Sequence, residues 1–315
     1  MQVLVFIPLL LPALAGLAAR PLAARLEPCR ATWLLTSAAV ILAVCSTAAL
    51  ALLAAWAAAA APPLATLGDY SAAVASRGDP APALTGGGAA LLLAGAGIAT
   101  TLTLRRRARA LAESYRRAAR LQPGRHRVVV VPSPAIEAYA LPGWPGRIVV
   151  STGVLAALDE PGQAALLAHE QAHLAGQHHL FTSATRLAAA ANPLLIPLVQ
   201  AVDFTTERWA DEFAARATGD RRLVATTIGR VALLATVPVR AGAAALGIGG
   251  QPPRRVSLAW AGPVPRRVAA LLAPAPPRRT LLLAAAAVII LLAGVSALEA
   301  ARDLHTLLEL ARAAG

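Results

Sequence analysis

The sequence predicts a mainly α-helical membrane protein, with about four transmembrane helices and one α+β domain built around a small β-sheet. Three observations carry that expectation. Of 315 residues, 57% are hydrophobic and only 14% are charged, a balance outside the usual range of soluble domains. Apolar runs of bilayer length recur and are flanked by arginines, as membrane spans are. Finally, between the third and fourth runs lies a more polar region that combines short β-type segments with the string His169-Glu170-Gln171-Ala172-His173.

Taken in order, the first span is expected from Val3 to Ala19, the second from Ala31 to Ala61 and the third from Leu84 to Leu104. A fourth is expected from Thr280 to Leu298. Each is near or above the roughly 20 apolar residues that a bilayer core requires. The first is not read as a cleaved signal peptide, because no charge precedes it and its arginines follow it instead.

The flanks predict topology. The connector from Arg20 to Arg30 sets three arginines against Glu27, and Arg105-Arg106-Arg107 follows the third span. Both are expected on the cytoplasmic side. The segment around Asp69, Arg77 and Asp79, rich in Pro, Gly and Ser, is expected outside. The resulting organisation is a membrane domain at 1–104, a cytoplasmic catalytic domain at 105–279, a span at 280–298 and a short external tail at 299–315. The predicted location is a cell membrane, crossed several times.

The formal charge is +13, and every basic residue is arginine. These arginines cluster beside apolar runs, so membrane lipid is the expected partner rather than nucleic acid, which would want interleaved aromatics. Cys29 and Cys45 are the only cysteines, one in a connector and one in an apolar run, and no disulfide is expected. No nucleotide-binding loop is found.

Inside the polar region, Val128 to Val131, Ala138 to Leu141 and Ile148 to Ser151 read as strands, with Pro142 to Gly146 as punctuation between the last two. A helix opened by Asp159-Glu160-Pro161 follows and carries the His-Glu-x-x-His string. On a helix His169 and His173 share a face and can reach one zinc ion, while Glu170 is offset toward a metal-bound water as general base. An edge strand ahead of that helix can hold a peptide in extended form.

A catalytic zinc keeps three protein ligands. Glu207 is the leading candidate for the third, in Glu207-Arg208-Trp209-Ala210-Asp211. Asp211, one turn on, would then bind the remote nitrogen of a zinc-bound histidine. The plain alternative for this helix is a salt-bridged surface with Arg208 and Glu212 paired. His179 is the rival ligand, since the local string fits the HExxHxxGxxH spacing of metzincins. Those proteins need a downstream methionine, and Met1 is the only one here. Otherwise His178 and His179 read as a solvated helix end, and Trp209 and Phe213 as core. Leu187 to Val202, interrupted by Asn192, Pro193 and Pro197, can be a re-entrant segment, a buried helix pair or a further membrane contact.

Together these features resemble the BlaR/MecR family of integral-membrane zinc metallopeptidases, with a gluzincin-like fold. The resemblance rests on three spans, the His-Glu-x-x-His domain, the Glu207 to Asp211 helix, a further span, and the lead-in from Ala138-Tyr139-Ala140-Leu141-Pro142-Gly143 to Ile148-Val149-Val150-Ser151-Thr152. It implies one Zn2+ held by His169, His173 and Glu207, with Glu170 as base and Asp211 behind a ligand. It also implies a protein substrate, such as a cytoplasmic transcriptional repressor, cut in response to an external signal. The sensors of that family carry an acylated Ser-x-x-Lys domain, which a chain without lysine cannot contain. Two other readings are an HtpX-type quality-control metalloprotease and a non-proteolytic zinc-binding scaffold.

Overall fold

A computed structural model describes residues 6–60, 82–121, 127–235 and 263–274, together with isolated positions between 288 and 309. Helices dominate these residues, with one small mixed sheet among them. Helix α1 (Ile7–Arg25) and helix α2 (Pro28–Ala60) form a hairpin whose elbow is Leu26-Glu27. Pro28 opens α2, where the missing N–H costs nothing because the first helical donors have no partner anyway. Helix α3 (Pro82–Arg120) follows. All three are long and apolar enough to cross a membrane. The predicted fourth span falls mostly outside the described residues, as do the predicted outer connector near Asp69 and the tail.

Close approach between α2 and α3 depends on small residues. A Cβ on Gly86 would stand 1.9 Å from the Cβ of Ala57, and Ala49, Leu53 and Ala89 form the adjoining cluster. Helix α3 runs through Leu104 without a break and reaches Arg120, so the Arg105–Arg107 cluster sits on the same helix as the third span. At 1.5 Å per residue it extends about 58 Å, well beyond a bilayer core.

Three strands follow: β1 (Val128–Val131), β2 (Ala138–Leu141) and β3 (Arg147–Ser151). These agree with the sequence expectation, with β3 one residue longer. Strand β3 is central, parallel to β1 and antiparallel to β2, and all five of its residues are buried. A continuous buried run is what a strand covered on both faces needs. Strand β2 is consequently an edge.

The Ser151 hydroxyl accepts the N–H of Val154 at 3.1 Å and caps the short helix α4 (Thr152–Ala157). Asp159 caps helix α5 (Glu160–Ala175) through the N–H of Gly162 at 3.1 Å, and Pro161 sits in its first turn. Gln177, at φ 48°, turns the chain into helix α6 (His178–Ala191). A single 3-10 turn (Pro193–Leu195) leads to helix α7 (Ile196–Thr218). Gly219, at φ 72°, supplies the left-handed residue that ends α7. Helices α8 (Arg221–Ala235) and α9 (Pro263–Leu272) complete the described domain.

The segment Leu187 to Val202 resolves into the end of α6, the 3-10 turn and the start of α7. It packs against the membrane-length hairpin: Leu195, Leu198 and Val202 share one core with Ala19, Leu35 and Leu42. Helix α7, which carries Glu207 and Asp211, is therefore continuous in packing with α1 and α2.

Candidate metal centre

Helix α5 and helix α7 pack directly on each other and supply the chemistry between them. The i, i+4 spacing brings Nε2 of His169 to 3.2 Å from Nε2 of His173. From the facing helix, Glu207 Oε2 lies 3.7 Å from the first and Oε1 lies 3.5 Å from the second. Ligands at about 2.0–2.1 Å around a tetrahedral zinc stand roughly 3.3 Å apart, so this donor set fits that ion. Among the described residues these three form the one group able to hold a metal. His179 lines the same cleft but is not part of the group.

Asp211, one turn along α7 from Glu207, lies fully inside, with Oδ1 3.0 Å from Nδ1 of His169. A buried carboxylate there fixes which ring nitrogen of His169 carries the proton and leaves Nε2 free to ligate. In the metal-free site, burial by itself would lower the pKa of His169, but hydrogen bonds to Asp211 and Glu207 reverse this and raise it to about 10. His173 lies less favourably: burial and the neighbouring positive groups outweigh Glu207 and lower it to about 4. Zinc loading must displace the proton held at His169, so rising pH favours uptake.

Arg267 is the member of the site that the sequence reading did not assign. It enters from α9 and donates to both oxygens of Asp211, at 2.8 and 2.6 Å, while Nη1 lies 2.7 Å from Glu207 Oε2. Burial alone would raise the pKa of both carboxyls, yet both are held below the usual carboxylate range, His169 and Arg267 being the causes in each. A signal was present: Arg267 and Leu271 share a helix face, and Leu271 is buried in an apolar cluster. A charge on the apolar face of a helix needs a buried partner. The neighbouring Arg266 turns away and stacks on the ring of Phe204, 4.2 Å from its centroid.

The salt-bridged surface that stood as the plain alternative for α7 does not form. Arg208 is buried and donates to Ala23 O at 2.7 Å, capping the C-terminus of α1, while Glu212 pairs with Arg221. Tertiary partners displaced the local i, i+4 pair because the α1 carbonyls need donors inside the protein.

His178 likewise departs from its expected solvated position. It is buried, its Nδ1 lies 2.9 Å from Nδ1 of His173, and its ring packs on Trp209 at 4.7 Å. With Nε2 of His173 facing the metal group, its Nδ1–H donates to His178, which orients the ring from behind. Gly176 makes room for this, since a Cβ there would stand 2.5 Å from His178 Nε2. His178→Phe keeps the ring stacked on Trp209 but removes the acceptor. Zinc affinity, read by chelator competition, is expected to fall about 10–100-fold; an unchanged affinity would remove His178 from the site. Trp209 packs against the shared core beside Phe181, as its core assignment anticipated.

Glu170 is buried beside the metal group, and the backbone N–H of Ala140 in β2 donates to its carboxyl. Burial and the charge of Glu207 push its pKa up, despite His169 and that N–H acting the other way. The cleft before it measures about 590 Å3 and runs from Ala138, Tyr139 and Ala140 of β2 to Arg186 and Asp203. A zinc ion held by the three ligands would supply Lewis-acid polarisation of a carbonyl and an acidified water. The chain itself contributes a desolvated carboxyl poised to take and return a proton, and an edge strand alongside it.

Residues 99–191 match the profile of peptidase family M48, a stretch that includes His169, Glu170 and His173 and stops before Glu207. Peptidases of that family are metallopeptidases, typically of zinc. No curated protein and no solved structure matches the chain.

Proposed function

We propose that the protein is an integral-membrane zinc metalloendopeptidase whose catalytic domain faces the cytoplasm. The observation that carries this reading is the convergence of His169, His173 and Glu207 from two helices, with Glu170 beside them. The similarity of residues 99–191 to a peptidase family supports it independently. The orientation rests on the arginines at 105–107 and 20–30, which favour the cytoplasmic side.

The substrate is a polypeptide bound in extended form along β2, whose outer edge faces the cleft: the N–H of Ala140 points at Glu170 rather than at β3. His169, His173 and Glu207 hold the metal, Asp211 and Arg267 hold those ligands, and Glu170 takes a proton from water and returns it to the leaving amine. In this reading the target is a regulatory protein in signal transduction, a role carried by the resemblance to BlaR/MecR proteins.

Zinc content and peptide hydrolysis of the detergent-purified protein test the site. Glu207→Ala is expected to lose the metal and activity together, whereas His179→Ala keeps both. Loss of zinc from His179→Ala with retention in Glu207→Ala would overturn the ligand assignment.

A further inference from the structure

The tip of the α6–α7 hairpin takes no part in the metal centre, yet its chemistry is distinctive. Between Arg186 and Asp203 the sequence carries no charged residue. Those two pair with each other at 2.8 Å, and both interact electrostatically with Arg107, which belongs to the arginine cluster of α3. On α1, Arg20 donates to Gln200 at 3.5 Å. Charges on four helices thus fall at one level, as they do where spans leave a bilayer.

Beyond that level the hairpin continues alongside the membrane-length helices. Asn192 Nδ2 donates to Ser46 Oγ at 3.1 Å, and Ser46 lies roughly 27 Å along α2 from Pro28 at the helical rise. The carbonyl oxygen of Leu194 and the ring of Pro197 lie against Gly16, each 3.3 Å from where a Cβ would stand. Leu194 and Ile196 are each 49% exposed, at the height where Leu14 and Leu17 of α1 are exposed as well.

Every backbone N–H from Pro193 to Pro197 is met within the turn. Pro193 and Pro197 bring no N–H. The N–H of Leu194 donates to Asn192 Oδ1 at 3.0 Å, that of Leu195 to Asn192 O at 3.0 Å, and that of Ile196 to Pro193 O. A turn in water has no need of such closure, whereas a turn in hydrocarbon cannot leave a donor unmet.

We infer that the α6–α7 tip is a re-entrant membrane element, its exposed side facing lipid acyl chains, that fixes the metal centre at the bilayer surface for polypeptide segments emerging from the membrane. The substrate part rests on the peptidase reading above. Glu207 follows Asp203 by one helical turn, about 6 Å. The cleft is lined by Arg186 and Asp203 at one end and by β2 at the other. A chain leaving the bilayer at the charged level therefore passes the metal group on its way along the edge strand.

The location is tested without any activity. In a full-length protein with Cys29 and Cys45 replaced by alanine, an environment-sensitive fluorophore is placed at Leu194→Cys, or at Ile196→Cys should the first misfold. A control carries it at Arg222→Cys on the exposed face of α8. In vesicles of phosphatidylcholine brominated on the acyl chains, the tip label is expected to lose most of its emission and the control none. Equal emission at both positions, or quenching of the tip by aqueous iodide, would overturn the insertion.

The substrate class is tested with one cleavable peptide, presented either free or joined to a single transmembrane anchor in the same vesicles. Confinement is expected to raise the initial rate at least about tenfold, and equal rates would overturn the substrate assignment. Zinc-dependent cleavage of neither peptide would remove the peptidase reading, while the quenching result decides the hairpin on its own.

Discussion

Replacing Glu170 by glutamine is expected to lower peptide hydrolysis by about 10²–10⁴-fold while leaving zinc content at the wild-type level. The substitution preserves shape, and an amide oxygen still accepts the N–H of Ala140 that steadies the carboxyl. What disappears is the base. Burial and the nearby Glu207 raise the pKa of Glu170, which suits a group that must gain and lose a proton near neutrality. Glu170 is not one of the three groups that converge on the metal position, so binding and catalysis should separate cleanly in this variant. The measurement pairs metal analysis with initial rates on a peptide substrate. Hydrolysis persisting at the wild-type rate would refute the assignment of Glu170 as base.

Removing Arg267 is expected to have the largest effect on stability. Arg267 makes two hydrogen bonds to Asp211, which is fully buried, and a further ion pair to Glu207. Arg267→Met fills similar volume but strips the fully buried Asp211 carboxylate of its guanidinium and leaves only His169 beside it, a change that costs about 3–5 kcal/mol. Arg267→Lys should fall between, because an ammonium cannot reproduce the two parallel bonds. Chemical unfolding of the metal-free protein in detergent reads the difference.

The pH dependence has a definite sign. Asp211 has a depressed pKa in the folded state, with Arg267 and His169 outweighing burial. Its contribution is therefore present above the ordinary carboxylate pKa, near 3.9, and fades as pH falls through the depressed value. The gap between wild type and Arg267→Met should narrow in acid. A variant that unfolds at the wild-type midpoint at neutral pH would show that the cluster contributes no stability.

How much of this was legible in the sequence follows from the range of each interaction. The i, i+4 pairs His169/His173 and Glu207/Asp211 are local, and helical geometry alone sets each pair on one face. The three strands were equally readable, because Pro142 to Gly146 separates the last two and β-branched residues dominate the first and third. His178 was misjudged because adjacent histidines on a helix face opposite sides of a packing boundary that only the tertiary fold draws. His179 stays half-buried in the cleft wall while His178 enters the core. The rejected surface pairing of Arg208 with Glu212 is absent for a similar reason, since each found a stronger partner away from its own helical turn.

By itself, then, the sequence determined the membrane character, the helix bearing His169, Glu170 and His173, the strand segments and the candidates for a third ligand. These depend on composition, periodicity and spacing, all of which act over one or two turns of chain. Only the tertiary structure brought Glu207, and not His179, into one group with His169 and His173, set Arg267 against the carboxylates, and packed Leu187 to Val202 into the membrane-length hairpin. Each of those outcomes is a competition between partners remote in sequence. Burial settles it, because a charge or a donor inside the protein goes to whichever group the packing brings within reach.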